Sequence, residues 1–257
     1  VTKGKTMNNW QETLLFPVRD AEARKQFLIA CLVTLAGFII PLIPSIILMG
    51  YGVRIMRQVI TERKKPSMPE WQGSNWSEML TDGLWVFGVQ MILMLPLLLI
   101  MGCGFVFMIG GSGSIAAFAD ENNNPFAAVG LIFIFVGIGL TILFSLLSLP
   151  YGILVSAALP HSVANNSFAA GFNFKEWFPI FRKGLGNFIL GYVFIMVISF
   201  VFVFVIQIAM ITLILMCIVP FLMIPYTTYI TIIGNTIYSQ AYVAGLDALQ
   251  AESHATA

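Results

Sequence analysis

The stretch "GYGVRIMRQVITERKKPSMPEW", residues 50–71, lies between two long apolar runs and holds five of the thirteen Lys and Arg residues of the chain. Basic residues collected at the end of an apolar run orient a membrane segment, because positive charge is retained on the cytoplasmic side. The surrounding composition agrees. The 257 residues are 58% hydrophobic and 10% charged, against about 25% charged in soluble domains. No Asp, Glu, Lys or Arg occurs in 83–119, 122–174 or 184–246. Uncharged apolar runs longer than about 18 residues read as membrane-spanning helices. They lack the alternating polarity of a transmembrane β-strand. The expected fold is therefore all-α: a polytopic transmembrane bundle of about six membrane-embedded helices in three hairpins.

Residues 1–26 read as an N-terminal interfacial segment, with Trp10, Leu14, Leu15 and Phe16 interleaved with charge, a pattern suited to lying in the headgroup plane. Residues 27–246 read as a single membrane domain and 247–257 as a polar tail. Pro41 and Pro44 break the first apolar run, since proline removes a helix hydrogen bond and restricts its predecessor. Two short helices, near 21–40 and 44–64, should form a hairpin flanked by Arg19, Arg24 and Lys25 at one end and Arg54, Arg57, Arg63, Lys64 and Lys65 at the other. Both ends are then cytoplasmic. A turn at that depth needs cover for its backbone, so residues 40–45 are expected to pack against the span that begins near Gly83. That span should run to about Ile109, kinked at Pro96. An external loop follows at 110–125, then a helix over 126–159, and two crossings within 185–246, the second starting near Pro220. Both termini fall on the cytoplasmic side. A cleaved signal peptide is not expected, because the first apolar run starts only at Phe27; Met7 offers an alternative start.

A weak internal repeat accompanies this arrangement. "WSEMLTDGLWVF" (76–87) resembles "WFPIFRKGLGNF" (177–188), and "GYG" (50–52) resembles "PYG" (150–152), with "PY" again at 225–226.

Candidate chemistry is sparse. Transporters coupled to ions bury ionisable side chains inside their helices; here the helix cores hold Gln90, Gln207, Asn235 and Gln240, which read as interhelical hydrogen-bonding groups. His161 could ligate a metal or a tetrapyrrole, but with no partner nearby it reads as a hydrogen-bonded interfacial residue. "GKT" at 4–6 lacks the upstream glycine of a phosphate-binding loop. Cys31, Cys103 and Cys217 lie in apolar runs and suggest neither a disulfide framework nor a zinc site. The glycine-rich 102–114 reads as a flexible helix end, with close helix packing as the alternative. A net charge of +1 offers no face able to neutralise many phosphates, which argues against nucleic acid. No catalytic constellation, cofactor motif or metal set stands out, so an enzyme is not expected.

The run "GYGVRIMRQVI…MPEWQGSNWSEMLTDGLWVF" (50–87) resembles the hallmark of the prokaryotic membrane family catalogued as domain of unknown function 4013. The matching positions are Gly50, Tyr51, Arg54, Arg57, Pro69, Glu70, Trp71, Asp82 and Gly83, and "FPVRD" (16–20) and "AAGFNFKEWFPIFRKGLGNFILGY" (169–192) extend the likeness. The link "ITERKKPSMPEW" departs from the shorter, glycine-containing family pattern. The resemblance implies a multi-span prokaryotic membrane protein and no known activity.

With Arg63, Lys64 and Lys65, those nine positions form the candidate lipid or partner contact, each basic residue near an anionic surface being worth about 1 kcal/mol. Orientation by positive charge accounts for most of the same signal. The expected function is that of a non-catalytic plasma-membrane protein, a structural or accessory subunit in contact with membrane lipids and other membrane subunits. The alternative is a carrier or channel for lipids or neutral solutes, suggested by the repeat and by proline-broken helices.

Overall fold

The structure, a computed structural model, describes residues 10–117, 125–211 and 217–256, and every regular element among them is helical. The helices are α1 (Trp10–Leu15), α2 (Ala21–Ala36), α3 (Ile43–Ile60), α4 (Trp76–Ala117), α5 (Pro125–Val155), α6 (Ala158–Ala164), α7 (Phe174–Ile211) and α8 (Val219–Thr256), with 3-10 turns at Gly73–Asn75 and Ala169–Phe172. The all-α expectation holds. Of the roughly six membrane helices expected, three stretches among the described residues are long and apolar enough to cross a membrane: Trp76–Ala116, Ala128–Ala164 and Phe174–Ile211. Two compact units divide the chain, one formed within Val1–Val89 and Ser156–Ala257, the other within Gln90–Val155.

In the first unit the proline-broken hairpin is present. Asp20 caps α2, its carboxylate accepting from the Ala23 amide at 2.8 Å, which holds the Asp20 carboxyl below its usual range. Pro44 opens the first turn of α3, where a missing N–H costs nothing. Between the helices, Leu42 sits at φ 75°, ψ −53° and the Ile43 amide donates to the Pro41 carbonyl at 3.0 Å. This is a tight three-residue turn of the strained, positive-φ kind. The expectation that residues 40–45 pack against other helices fails for most of them: Ile40, Pro41, Leu42, Ile43 and Ser45 are exposed, and only Pro44 is buried. Ile46, the residue after Ser45, is buried, its carbonyl against Gly83 of α4.

The core of this unit joins α2, α3 and α8 with the start of α4. Ala30, Leu48, Tyr51, Ile55, Met79, Ile232, Ile233 and Ile237 are enclosed together with Phe16. Gln240 bonds with Thr13 at 3.1 Å, the interhelical use read from the sequence, and the Thr34 and Thr228 hydroxyls meet at 2.7 Å. Gln90 and Gln207 instead face outward. The predicted polar tail is helical: α8 continues unbroken to Thr256.

In the second unit the glycine-rich 102–114 is helix, and the expected external loop is helical as far as Ala117; residues 118–124 lie outside the described ones. The reason is packing. A Cβ on Gly111 would stand 2.5 Å from the Gly130 carbonyl oxygen, one on Gly130 2.8 Å from that of Gly111, and one on Gly137 2.8 Å from that of Gly104. Within 102–114 the close-packing alternative holds for Gly104 and Gly111, whereas Gly102 and Gly113 face open space.

The same effect operates between α3 and α4, where a Cβ on Gly83 would lie 1.9 Å from the Ile46 carbonyl oxygen, whereas Gly186 faces open space. Alanine gains about 1 kcal/mol over glycine in a helix, but a clash with fixed backbone costs about 1–3 kcal/mol and no rotamer relieves it. Gly83→Ala should therefore lower the thermal unfolding midpoint followed by circular dichroism in detergent, while Gly186→Ala leaves it unchanged or raises it.

Candidate functional site

The positions singled out in the sequence converge where α3 leaves its crossing with α4. A Cβ on Gly50 would lie 1.8 Å from the Met79 carbonyl oxygen, so each helix presses its backbone into the glycine of the other. Tyr51, the next residue, is fully enclosed. Its hydroxyl donates to the Pro69 carbonyl at 2.7 Å, and its ring stacks on Trp71 with centroids 4.3 Å apart and planes 6° from parallel. Trp71 is anchored in turn by Gln26, whose side-chain oxygen accepts from the Trp71 amide and whose carbonyl accepts from the indole N–H, both at 3.1 Å. The proline-rich link thereby folds back on α2 and α3.

Each of the five basic residues of this stretch meets an acid. Arg57 grips Asp82 with two bonds, 2.5 and 2.9 Å, and reaches Asn166 at 3.0 Å. Arg54 pairs with Glu78 at 2.7 Å, Arg63 with Asp247 at 3.0 Å, Lys64 with Glu62 at 2.7 Å and Lys65 with Glu12 at 2.8 Å. Glu70 accepts from Gln72 at 3.1 Å. The candidate contact thus separates into two groups. Gly50, Tyr51, Arg54, Arg57, Pro69, Trp71, Asp82 and Gly83 hold the fold, whereas Arg63, Lys64, Lys65 and Glu70 remain exposed.

A family described as "Protein of unknown function (DUF4013)" matches residues 33–215. The chain belongs to this family. Neither the curated proteins nor the solved structures compared with it give a significant match. The DUF4013 match takes in both sides of the Gly50–Gly83 crossing and ends before α8.

A second crossing repeats the first. In α7 and α8, a Cβ on Gly245 would lie 2.3 Å from the Ile180 carbonyl oxygen and one on Gly184 2.9 Å from that of Ala241. In both crossings each glycine meets the carbonyl four residues ahead of the opposite glycine. The flanking ion pair is repeated as well, with its polarity reversed. Arg57, seven residues after Gly50, meets Asp82, one before Gly83; Glu252, seven after Gly245, meets Lys183, one before Gly184, again at 2.5 Å. The 76–87 and 177–188 likeness therefore has a geometric basis. The counterpart of Gly50 is Gly245, rather than a residue of 150–152 as the sequence suggested.

The sequence left His161 without partners; the fold supplies three. It is buried, with Nδ1 2.8 Å from the Tyr242 hydroxyl, Nε2 3.2 Å from a Glu176 carboxylate oxygen, and Asn165 against the ring. Asn173 donates to the other Glu176 oxygen at 2.5 Å. The network ties α6, α7 and α8 together. No signal at 161 could have revealed it, because Glu176 and Tyr242 are 15 and 81 residues away. Among the described residues no group of three or more His, Cys, Asp or Glu is arranged to hold a metal ion.

Burial decides what the two ion pairs contribute. The Arg57 and Asp82 side chains are 29% and 14% exposed, those of Lys183 and Glu252 38% and 54%. Asp82→Ala should cost about 1.5–3 kcal/mol, as for hydrogen bonds to charged groups, and Glu252→Ala about 0.2–1 kcal/mol, measured by chemical unfolding in micelles. Adding Arg57→Glu to Asp82→Lys, the polarity of the second crossing, should recover most of the stability lost in Asp82→Lys alone.

Proposed function

We propose that this member of DUF4013 is a non-catalytic, multi-pass subunit of a prokaryotic plasma-membrane complex, acting through helix packing and lipid contact. One observation carries the reading. In the most apolar window of each of the three span-length stretches, only 11%, 11% and 6% is buried by the chain itself. Such surface belongs against acyl chains or the helices of another protein. Glycines divide in the same way: Gly104, Gly111, Gly130 and Gly137 are filled by neighbouring helix, whereas Gly102, Gly113 and Gly139 face open space. Small residues on an apolar outer face let a partner helix approach closely, which favours a protein subunit over lipid alone. By the positive-inside rule, this reading assigns the basic segments and both termini to the cytoplasm.

A carrier or channel for lipids or neutral solutes is the second reading. It is favoured by Pro96, Pro150, Pro179 and Pro225, each inside a long continuous helix, since proline leaves a helix carbonyl without its bond and freed backbone carbonyls line transport paths.

Gentle extraction from native membranes, with crosslinking from Gly139→Cys in a background without the native cysteines, separates these readings. A subunit gives one stoichiometric crosslinked membrane partner, and Gly139→Phe, tested without crosslinking, loses that partner on copurification. An uncrosslinked chain that moves lipid or solute across vesicles overturns the subunit reading and supports the carrier. For orientation, Ser67→Cys should react with a membrane-impermeant maleimide only after cells are permeabilised; labelling in intact cells would reverse the topology.

A further inference from the structure

We propose that the α2–α3 hairpin is re-entrant: it enters the bilayer from the charged end, turns among the acyl chains of that leaflet near mid-depth, and returns without reaching the far side. The Arg54–Glu78 and Arg57–Asp82 pairs, directly beneath the Gly50–Gly83 crossing, mark the polar level on both helices. From that crossing, α3 has only eight residues to Leu42, about 12 Å at about 1.5 Å per residue. The other limb agrees. After the polar "AEARKQ", α2 offers ten apolar-rich residues, 27–36, about 15 Å. Neither limb approaches the hydrocarbon thickness of about 30 Å.

The tip has the chemistry of a surface in hydrocarbon. From Leu35 to Ile43 no side chain is polar, and Phe38, Ile39 and Leu42 are 64%, 83% and 63% exposed. A hairpin that crossed completely would set these side chains in water. On the α2 limb the last polar side chain before the tip, Thr34, turns inward, donating to Ala30 and meeting Thr228 of α8; on the α3 limb the first is the exposed hydroxyl of Ser45. Irregular backbone is costly in lipid because its polar groups go unpaired, and here the turn answers most of its own donors. The amides of Gly37, Phe38, Ile39 and Ile40 donate back to Thr34, Leu35 and Ala36, and that of Ile43 to Pro41. Pro41 and Pro44 have no N–H to satisfy. The two prolines and the strained turn at Leu42 thus let a chain reversal sit in acyl chains without a protein cover. Acyl chains fit the tip better than a second copy of the chain, because it offers no polar group to fix the register of a protein partner.

Spin labels on the full chain test this, with Cys31, Cys103 and Cys217 replaced and the protein reconstituted in phosphatidylcholine–phosphatidylglycerol vesicles. Single cysteines at Leu28, Ile39 and Ser67 report collisions with oxygen, which concentrates in hydrocarbon, and with a water-soluble nickel chelate. The oxygen-to-nickel ratio is expected to rise several-fold from Ser67 to Leu28 and again to a mid-bilayer value at Ile39. Nickel access at Ile39 would mean that the tip reaches water and would overturn the proposal. Exclusion of both reagents would mean a protein cover, a second copy included, and would overturn it equally. Should Ile39→Cys not reconstitute, Phe38→Cys reads the same depth.

Discussion

At Gly50 and Gly83 two helices touch through their backbones, and most of the charged end of this protein depends on that contact. Burial of apolar side chains drives soluble helices together, but lipid is as apolar as leucine and offers no such gain. Association must then come from close van der Waals approach and from polar bonds, and glycine permits both by removing the side chain that would hold the helices apart. Once α3 and α4 meet at this distance, Arg54 reaches Glu78 and Arg57 takes Asp82 in two bonds. Tyr51 is then turned into the angle where Pro69 and Trp71 close over it.

The second crossing, at Gly184 and Gly245, applies the same solution to α7 and α8. Reversal of its ion pair indicates that the requirement is for opposite charges at those two positions and not for a particular sign on either helix. Arg57 and Asp82 are the more buried pair and Arg57 is tied also to Asn166, just past α6, while α8 of the second crossing joins the rest of the unit through Thr228 and Gln240. The His161 network plays the corresponding part for α6, α7 and α8, through neutral and charged hydrogen bonds instead of glycine contact.

Pairing all five basic residues with acids alters how the 50–71 segment is understood. A free cluster of arginines and lysines would be a headgroup site. Here Arg54 and Arg57 are drawn into the helix crossing, and Arg63, Lys64 and Lys65 form the exposed remainder. The same residues can orient the chain in the membrane and join its helices, because a partnered arginine at the interface still resists transfer through hydrocarbon.

Composition and charge spacing alone established the helical class, the long apolar segments and the proline-broken hairpin, since these follow from local hydrophobicity and from the missing N–H of proline. The family was legible too, in Gly50, Tyr51, Arg54, Arg57, Pro69, Glu70, Trp71, Asp82 and Gly83. What those residues do was not. That Gly50 faces Met79, that Arg57 holds Asp82, and that Gly245 rather than the 150–152 segment mirrors Gly50 are facts of helices meeting in space, and a glycine in a helix reads the same whether it faces a backbone or nothing. Gly111 and Gly113 make the point: one lies against Gly130, the other against open space. The partners of His161 were hidden for the same reason, their separation along the chain leaving no local pattern. The protein cover expected over 40–45 is absent for all but Pro44, because the reading from sequence assigned the backbone cost of the turn to neighbouring helices. Only the tertiary structure shows the amides of Gly37, Phe38, Ile39, Ile40 and Ile43 bonded within the turn itself.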